Sequence, residues 1–433
     1  MKARMIGKTV AALCLLFAPA TLGQTLTHGP VVGGVFGAVA NVFLRTSDVA
    51  TVAIRYGTDP NLMTYSVSSS FTTSLTNDFT KIIPLSGLSP ETKYYLNVTI
   101  NGTPVLTAPY PSFSTFAFAS QKRDFNFVVM TDFTTVRSLT MPSQTYASAL
   151  AEQPKFVFIG GDFDHSNPGT LNTKRNMFKN LYNVSDPNMQ AFVQQTLQAM
   201  PIIHQWDDHD AGGNNIDKNY TGWALSQQVF QEYVPSYTLP SVTPGIWQNF
   251  KYAQVEGFVL DCRSQRDDEN DPDDVNKSML DGNNLGASGQ LQWLENGLLA
   301  STAKWKIIFS SVIVNPTTKF PDAWAGYQTE WNALKTFIDS HAIKNVVIIS
   351  GDLHLGAIDD GTHSTYPEMC VLQPNGSGGC PTSNDPGDWS EGYYTGSCSG
   401  YGLVIVQKNP DRLTLQSKDE FGGLQLSYTV TAQ

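Results

Sequence analysis

Two regimes of hydrophobic patterning divide the chain. Over residues 29–118, short alternating runs rich in Val, Thr, Tyr and Phe, such as ATVAIRYG and KYYLNVTI, are broken by Gly, Pro, Asn and Ser. Period-two alternation between turn formers marks half-buried strands, so this stretch predicts a small antiparallel sandwich. After a connector near residues 119–123 the period changes. The apolar runs FNFVVM, KFVFIGG, PIIHQW, GFVLD, KWKIIFSSV and NVVIIS now alternate with helix-like segments near residues 142–152, 188–200, 288–299 and 323–341. That alternation argues for an α/β sheet layered with helices. The C-terminal stretch YGLVIVQKNPDRLTLQSKDEFGGLQLSYTV returns to strand alternation and is expected to close the second sheet.

The beginning of the chain fits neither regime. Lys2, Arg4 and Lys8 precede a short apolar run over residues 10–18 and small residues over 20–23. The pattern predicts a cleaved secretory leader over residues 1–23, too short to span a bilayer; a buried N-terminal helix is the competing reading. Export would leave a secreted protein, or a periplasmic one in a bacterium, with no membrane span and expected as a monomer. The 433 residues, 41% hydrophobic and 15% charged, suffice for two domains and a sizeable core. A net charge of −11 means that an anionic ligand has to be held by local positive charge or by metal ions, and it argues against a nucleic-acid-binding surface.

Composition adds two expectations. Of the five cysteines, Cys14 leaves with the leader, so Cys262, Cys370, Cys380 and Cys398 could form disulfides in an exported protein. Three pairings are possible; a local Cys370–Cys380 bridge, leaving Cys262 with Cys398, is the simplest. Asn-X-Ser/Thr triplets at Asn97, Asn101, Asn183, Asn219, Asn276 and Asn375 would carry glycans in a eukaryotic host.

The chemistry lies where the apolar runs end. Asp132 follows FNFVVMT, Asp162 follows KFVFIGG, Asp207, Asp208, His209 and Asp210 follow PIIHQW, and Asp352 and His354 follow NVVIISG. Ligands bind beyond the carboxyl ends of strands in open α/β sheets. A single Asp there is a turn former or helix cap; several converging carboxylates repel one another and call for bound metal ions. The glycines before Asp162 and Asp352 allow tight turns at the strand ends. The segments Gly161-Asp-Phe-Asp-His165 and Gly351-Asp-Leu-His354 could then address two metals about 3.5–4 Å apart. His204 and Trp206, inside an apolar run, are expected to be packing residues. Asp207 and Asp210 are expected to orient their neighbours. The acidic run over residues 267–274, and Asp359, Asp360 and His363, read as surface loops, although the latter three could line the cleft.

The order Asp132, GD-x-x-H, WDDHD and GD-x-H resembles the calcineurin-type metallophosphoesterase superfamily, and more narrowly the alkaline phosphatase D family. The segments LDCRSQRD, LGASGQLQWLENGLLASTAKWKII and KNVVIISGDLHLG agree. The resemblance implies a four-layer α/β (α+β) catalytic domain over residues 124–433, with two mixed sheets flanked by helices. A small all-β sandwich over residues 28–118 precedes it. There Leu88-Ser-Pro-Glu-Thr-Lys-Tyr94 resembles the tyrosine corner of fibronectin type III and immunoglobulin-like domains.

The same resemblance implies that Asp162 bridges two metals, that Asp132, His165 and His354 complete one site, and that Asp208 and Asp352 belong to the other. His209 would be the catalytic histidine. Arg263, with Arg266, would hold phosphate oxygens by charge-assisted hydrogen bonds. Asp132 and His165 stand where the family carries Cys and Tyr, both suited to ferric iron, so manganese, zinc, ferrous iron and calcium are all open. The absent tyrosine also argues against a purple acid phosphatase. The implied reaction is in-line attack on a phosphate mono- or diester by a metal-bridging hydroxide. A related reading keeps the metallophosphoesterase core but specialises it for a nucleotide or phospholipid-type substrate. A reading of another class is a degenerate, metal-binding adhesion or structural protein.

Overall fold

The computed structural model describes residues 23–133, 143–375, 386–396 and 399–433. All of the expected leader but its last residue therefore lies outside the described residues, as do Cys380 and Cys398.

The motif-bearing runs form two parallel blocks. Phe125–Met130, Val157–Gly160 and Ile202–Gln205 lie side by side in one sheet. Val255–Val259, Trp305–Phe309 and Val346–Ser350 do so in the other. Alternation within each strand decides which layer a side chain joins. Phe127 and Val129 point between the sheets, where they meet Phe309, Val259 and Ile349 in one core. Val128 and Met130 point outward to a helical layer with Phe163, Phe178 and Phe192. On the far side, Phe258, Ile308 and Ile348 pack under the helices Gln290–Ala300 and Gln328–Ser340 through Leu294, Leu298, Trp331 and Leu334. Helix, sheet, sheet, helix is the four-layer arrangement expected.

The sandwich is present, with Ser89 N donating to Tyr94 Oη at 2.9 Å as the tyrosine corner requires. It is less separate than the sequence suggested. Its strands Leu26–Gly33, Val39–Thr46 and Thr80–Ser86 continue the first of these sheets beyond Ile202–Gln205, making nine strands in all. The other face is a six-stranded sheet centred on Thr51–Gly57 and Lys93–Ile100.

Three expectations are corrected. The C-terminal strands Gly400–Lys408, Asp411–Asp419 and Leu424–Thr431 do not close the second sheet; they extend the first, antiparallel to Phe125–Met130. Cys262 and Cys370 are free and buried rather than bridged. Cys262 Sγ sits 3.4 Å from Ser310 Oγ, and Cys370 Sγ donates to Gly351 O at 3.7 Å. Asn97 and Asn375 are buried, and the Asn97 amide is paired in both directions with the Leu106 backbone, so neither can carry a glycan.

Candidate metal centre

The carboxyl ends of both parallel blocks meet along one edge, and the turns there are tight. Asp132, Asp162, Asp352 and His354 all take positive φ, of 56°, 47°, 69° and 59°. Such backbone is strained for side-chain-bearing residues and clusters at functional sites. Gly161, at φ +98°, provides the close approach, because a Cβ there would lie 2.8 Å from Asp207 Cβ. Gly351 serves packing instead, with its Cβ position 3.1 Å from Thr131.

The turns interlock. Phe133 N donates to Asp162 O at 2.7 Å, and Asp352 N donates to both Asp132 oxygens at 3.0 and 3.1 Å. Asp210 accepts from Phe163 N at 2.6 Å and from Asp207 N at 2.9 Å, which ties the second turn to the third.

Three overlapping groups offer ligand atoms within 4.8 Å of one another: Asp162, His165 and His209; Asp132, Asp162 and His354; and Asp162, Asp207 and Asp352. Asp162 belongs to all three, which suits the bridging position. Asp208, expected as a ligand, stands outside them. Its carboxylate accepts from Asn215 N at 2.6 Å and His209 N at 2.8 Å, and Asp207 takes the place facing Asp162 and Asp352.

The donor set fits metal ions by two independent signs. Asp162 Oδ2, His165 Nε2 and Asp352 Oδ2 are buried without a hydrogen bond. Burial first, then the Asp208 carboxylate, pushes Asp162 up to about 7, and burial pushes Asp132 up to about 6. Burial also raises Asp352 far above the carboxylate range, against the pull of Lys319. Cations are the remedy for carboxylates crowded in this way.

The three histidines share one arrangement. His165 Nδ1 donates to Phe133 O at 2.7 Å, His354 Nδ1 to Gln373 Oε1 at 3.0 Å, and His209 Nδ1 to Asn167 Oδ1 at 2.5 Å. A proton held on Nδ1 leaves the Nε2 lone pair for a metal or a reacting proton. Burial lowers His354 to about 4, so it is neutral and ligand-ready. Burial also works against charge on His165, but the Asp162 carboxylate outweighs it and raises that histidine to about 10.

Arg263 and Arg266 require a correction. Both are fully buried, so neither can close on a phosphate from solvent. Arg263 Nη2 donates to Asp207 at 2.9 Å while its Nε bonds the same carboxylate, and Nη1 reaches Asp322 at 2.6 Å. Arg266 Nη1 donates to Asp322 Oδ1 at 2.8 Å. They neutralise the carboxylate layer beneath the metal centre. Asp322, Asn167, Gln373 and Ser311, which bonds Asp207 at 2.8 Å, were not singled out from the sequence. Only Asn167, two residues after His165, stood close enough to a motif to be found.

Outside the centre, His204 and Trp206 are packed, as expected, and burial lowers His204 to about 3. Asp359 and His363 pair at 2.7 Å and close their own loop. Asp360, half-buried beside them, accepts from Thr362 N. Most of the acidic run over residues 267–274 is exposed, while Asp267 itself is buried.

Residues 163–377 match the family model described as PhoD-like phosphatase. Residues 23–118 match a domain of unknown function, DUF7800. Alkaline phosphatase D of Bacillus subtilis (strain 168) is 29% identical over 198 residues, covering 39% of this chain. The match spans 33%, about a third, of that relative's length. A solved structure of PhoD superposes with a TM-score of 0.73 at 17% identity, covering 98% of this chain and 92% of that one. Purple acid phosphatase PPD1 from yellow lupin (Lupinus luteus) seeds superposes at 0.60 with 12% identity, over 94% of this chain and 74% of that one. At these identities the two structures show the fold alone, a PhoD and purple acid phosphatase-like arrangement of two mixed sheets behind a β-sandwich. The family model over residues 163–377 and the curated relative place the chain in the PhoD-like phosphatase family.

Proposed function

We propose that this chain is a secreted, metal-dependent phosphoesterase that hydrolyses phosphate mono- or diesters at the Asp162-centred cluster. The observation that carries the reading is the convergence of Asp132, Asp162, Asp207 and Asp352 with His165, His209 and His354 on one edge of the two sheets. Divalent ions bound there would supply positive charge to the phosphoryl group and make water a competent nucleophile near neutral pH.

The chain's own residues supply the remainder. His209, part-exposed above Asp162, keeps Nε2 free to hold a proton and release it to the departing alkoxide. Asn167 fixes the tautomer that makes this possible. The leader pattern supports export, and among the described residues no helix is long and apolar enough to cross a membrane.

Hydrolysis of p-nitrophenyl phosphate and bis-p-nitrophenyl phosphate tests the reading, with bound metals quantified beforehand. Turnover of either ester is expected, abolished by a chelator and reduced about 100-fold or more by His209→Ala, in line with the loss of a general acid. Full metal occupancy with neither ester cleaved would turn the reading towards a specialised substrate. Protein that neither binds metal nor turns over after reconstitution would refute it.

A further inference from the structure

With Arg263 and Arg266 enclosed, the anion-binding task that the sequence assigned to them falls to no residue at the base of the cluster. One lysine among the described residues touches these carboxylates. Lys319 Nζ lies 3.0 Å from Asp352 Oδ1 and 3.9 Å from Asp322 Oδ2, and its side chain is 23% exposed. It therefore reaches the cluster from the solvent side.

Lys319 shares both of the carboxylates it faces, Asp352 and Asp322, with other groups. Asp322 Oδ1 already accepts from Arg263 Nη1 at 2.6 Å and from Arg266 Nη1 at 2.8 Å. Asp352 is one of the convergent carboxylates that could hold a metal ion. An ammonium carries three donors, more than Asp352 Oδ1 uses.

Its loop is fixed in place. Val314 N and Asn315 N donate to Glu368 at 2.8 and 2.9 Å. Asn315 Nδ2 donates to Asp388 O at 2.7 Å, and Asp388 N returns a bond to Thr317 Oγ1 at 2.8 Å. Lys319 itself sits at φ +58°, and its carbonyl accepts from Ala323 N at 3.0 Å. A long flexible side chain on a held backbone loses less freedom when it binds.

We propose that Lys319 is a substrate-binding residue that grips a non-bridging phosphate oxygen at the solvent side of the metal centre, in place of Arg263 and Arg266. The proposal rests on the phosphoesterase reading for its substrate, but the anion site can be measured without turnover. Inorganic phosphate is titrated calorimetrically into metal-loaded wild type, Lys319→Gln and Lys319→Arg, and is used as an inhibitor of p-nitrophenyl phosphate hydrolysis.

Lys319→Gln is expected to weaken phosphate binding and raise KM about tenfold or more, the scale of one charge-assisted hydrogen bond, with kcat less affected and metal content unchanged. Lys319→Arg is expected to recover most of the loss. Wild-type phosphate affinity in Lys319→Gln at full metal content would overturn the proposal. So would loss of metal in that variant, which would make Lys319 part of the metal scaffold. If wild type binds phosphate through Lys319 but cleaves neither ester, the anion site stands, and the phosphoesterase reading turns towards a specialised substrate.

Discussion

A guanidinium enclosed by protein on every side has to be matched there, and Arg263 is matched by Asp207 and Asp322, with Asp208 and Asp352 at 3.6 and 3.7 Å. Removing one partner of such a group leaves buried charge uncompensated, typically at about 3–5 kcal/mol. Arg263→Met is therefore expected to lower unfolding free energy on that scale in urea titrations. A change within about 0.5 kcal/mol, the range of ordinary surface substitutions, would show that the group is not integral to the fold. Asn167 makes a sharper functional case, because it is exposed and holds His209 Nδ1 at 2.5 Å without touching the core. Asn167→Ala frees the imidazole to rotate and exchange tautomers, and kcat is expected to fall about 10–100-fold, the usual effect of losing an orienting partner. Metal content and melting temperature should hold. Asn167→Asp retains the acceptor oxygen and should recover most of the rate; equal loss in both variants would contradict the orienting role.

At the scale of elements, the site depends on two neighbouring strand ends approaching closely. Gly161 has φ +98°, and an added Cβ would stand 2.8 Å from Asp207 Cβ and 2.9 Å from Asp207 N. Gly161→Ala is expected to destabilise the protein by about 1–3 kcal/mol through backbone strain and to lower bound metal as Asp162 and Asp207 separate. Gly169→Ala, whose Cβ would meet nothing within 4 Å, is the control and should change neither. These strand ends were legible in the sequence because apolar runs of strand length terminate in Asp and His. What the runs could not reveal is which sheet receives each strand. The pairing of Gly400–Lys408 with Phe125–Met130 is a long-range choice that alternation leaves open. The helix Leu171–Leu181 escaped notice because LNTKRNMFKNL is mostly polar; it shows its buried face only through Met177, Phe178 and Leu181, with Lys174 buried among them. The burial of Arg263 was hidden for a similar reason. Its partner Asp322 lies far along the chain, outside any motif, and an arginine is exposed by default.

Across the whole molecule, the N-terminal sandwich is built into the catalytic body. Gly33 pairs in parallel with Ile202, so a single sheet runs from the C-terminal strands through the motif strands into the sandwich. Side chains cross the junction as well. Phe43 packs on Tyr182 and Tyr233 with ring centroids 5.4 and 5.5 Å apart, and Phe116 packs on Phe156 and Tyr252 at 5.4 and 5.0 Å. Tyr237 Oη donates to Val35 O at 2.9 Å, and Asn41 Nδ2 donates to Ser236 O at 3.0 Å. Deleting residues 23–118 would strip Ile202–Gln205 of its neighbour, exposing an unpaired edge and the aromatic face beside it. That strand leads directly into Trp206 and Asp207, so the damage would reach the candidate metal centre. A fragment of residues 119–433 is therefore expected to aggregate, or to bind metal in less than stoichiometric amount. The intact protein should unfold in one calorimetric transition whose van't Hoff and calorimetric enthalpies agree. Two resolved transitions, or a soluble fragment with full metal content, would mean that the shared sheet does not couple the two parts. The sandwich would then be an attachment to the two-sheet body rather than one wall of it.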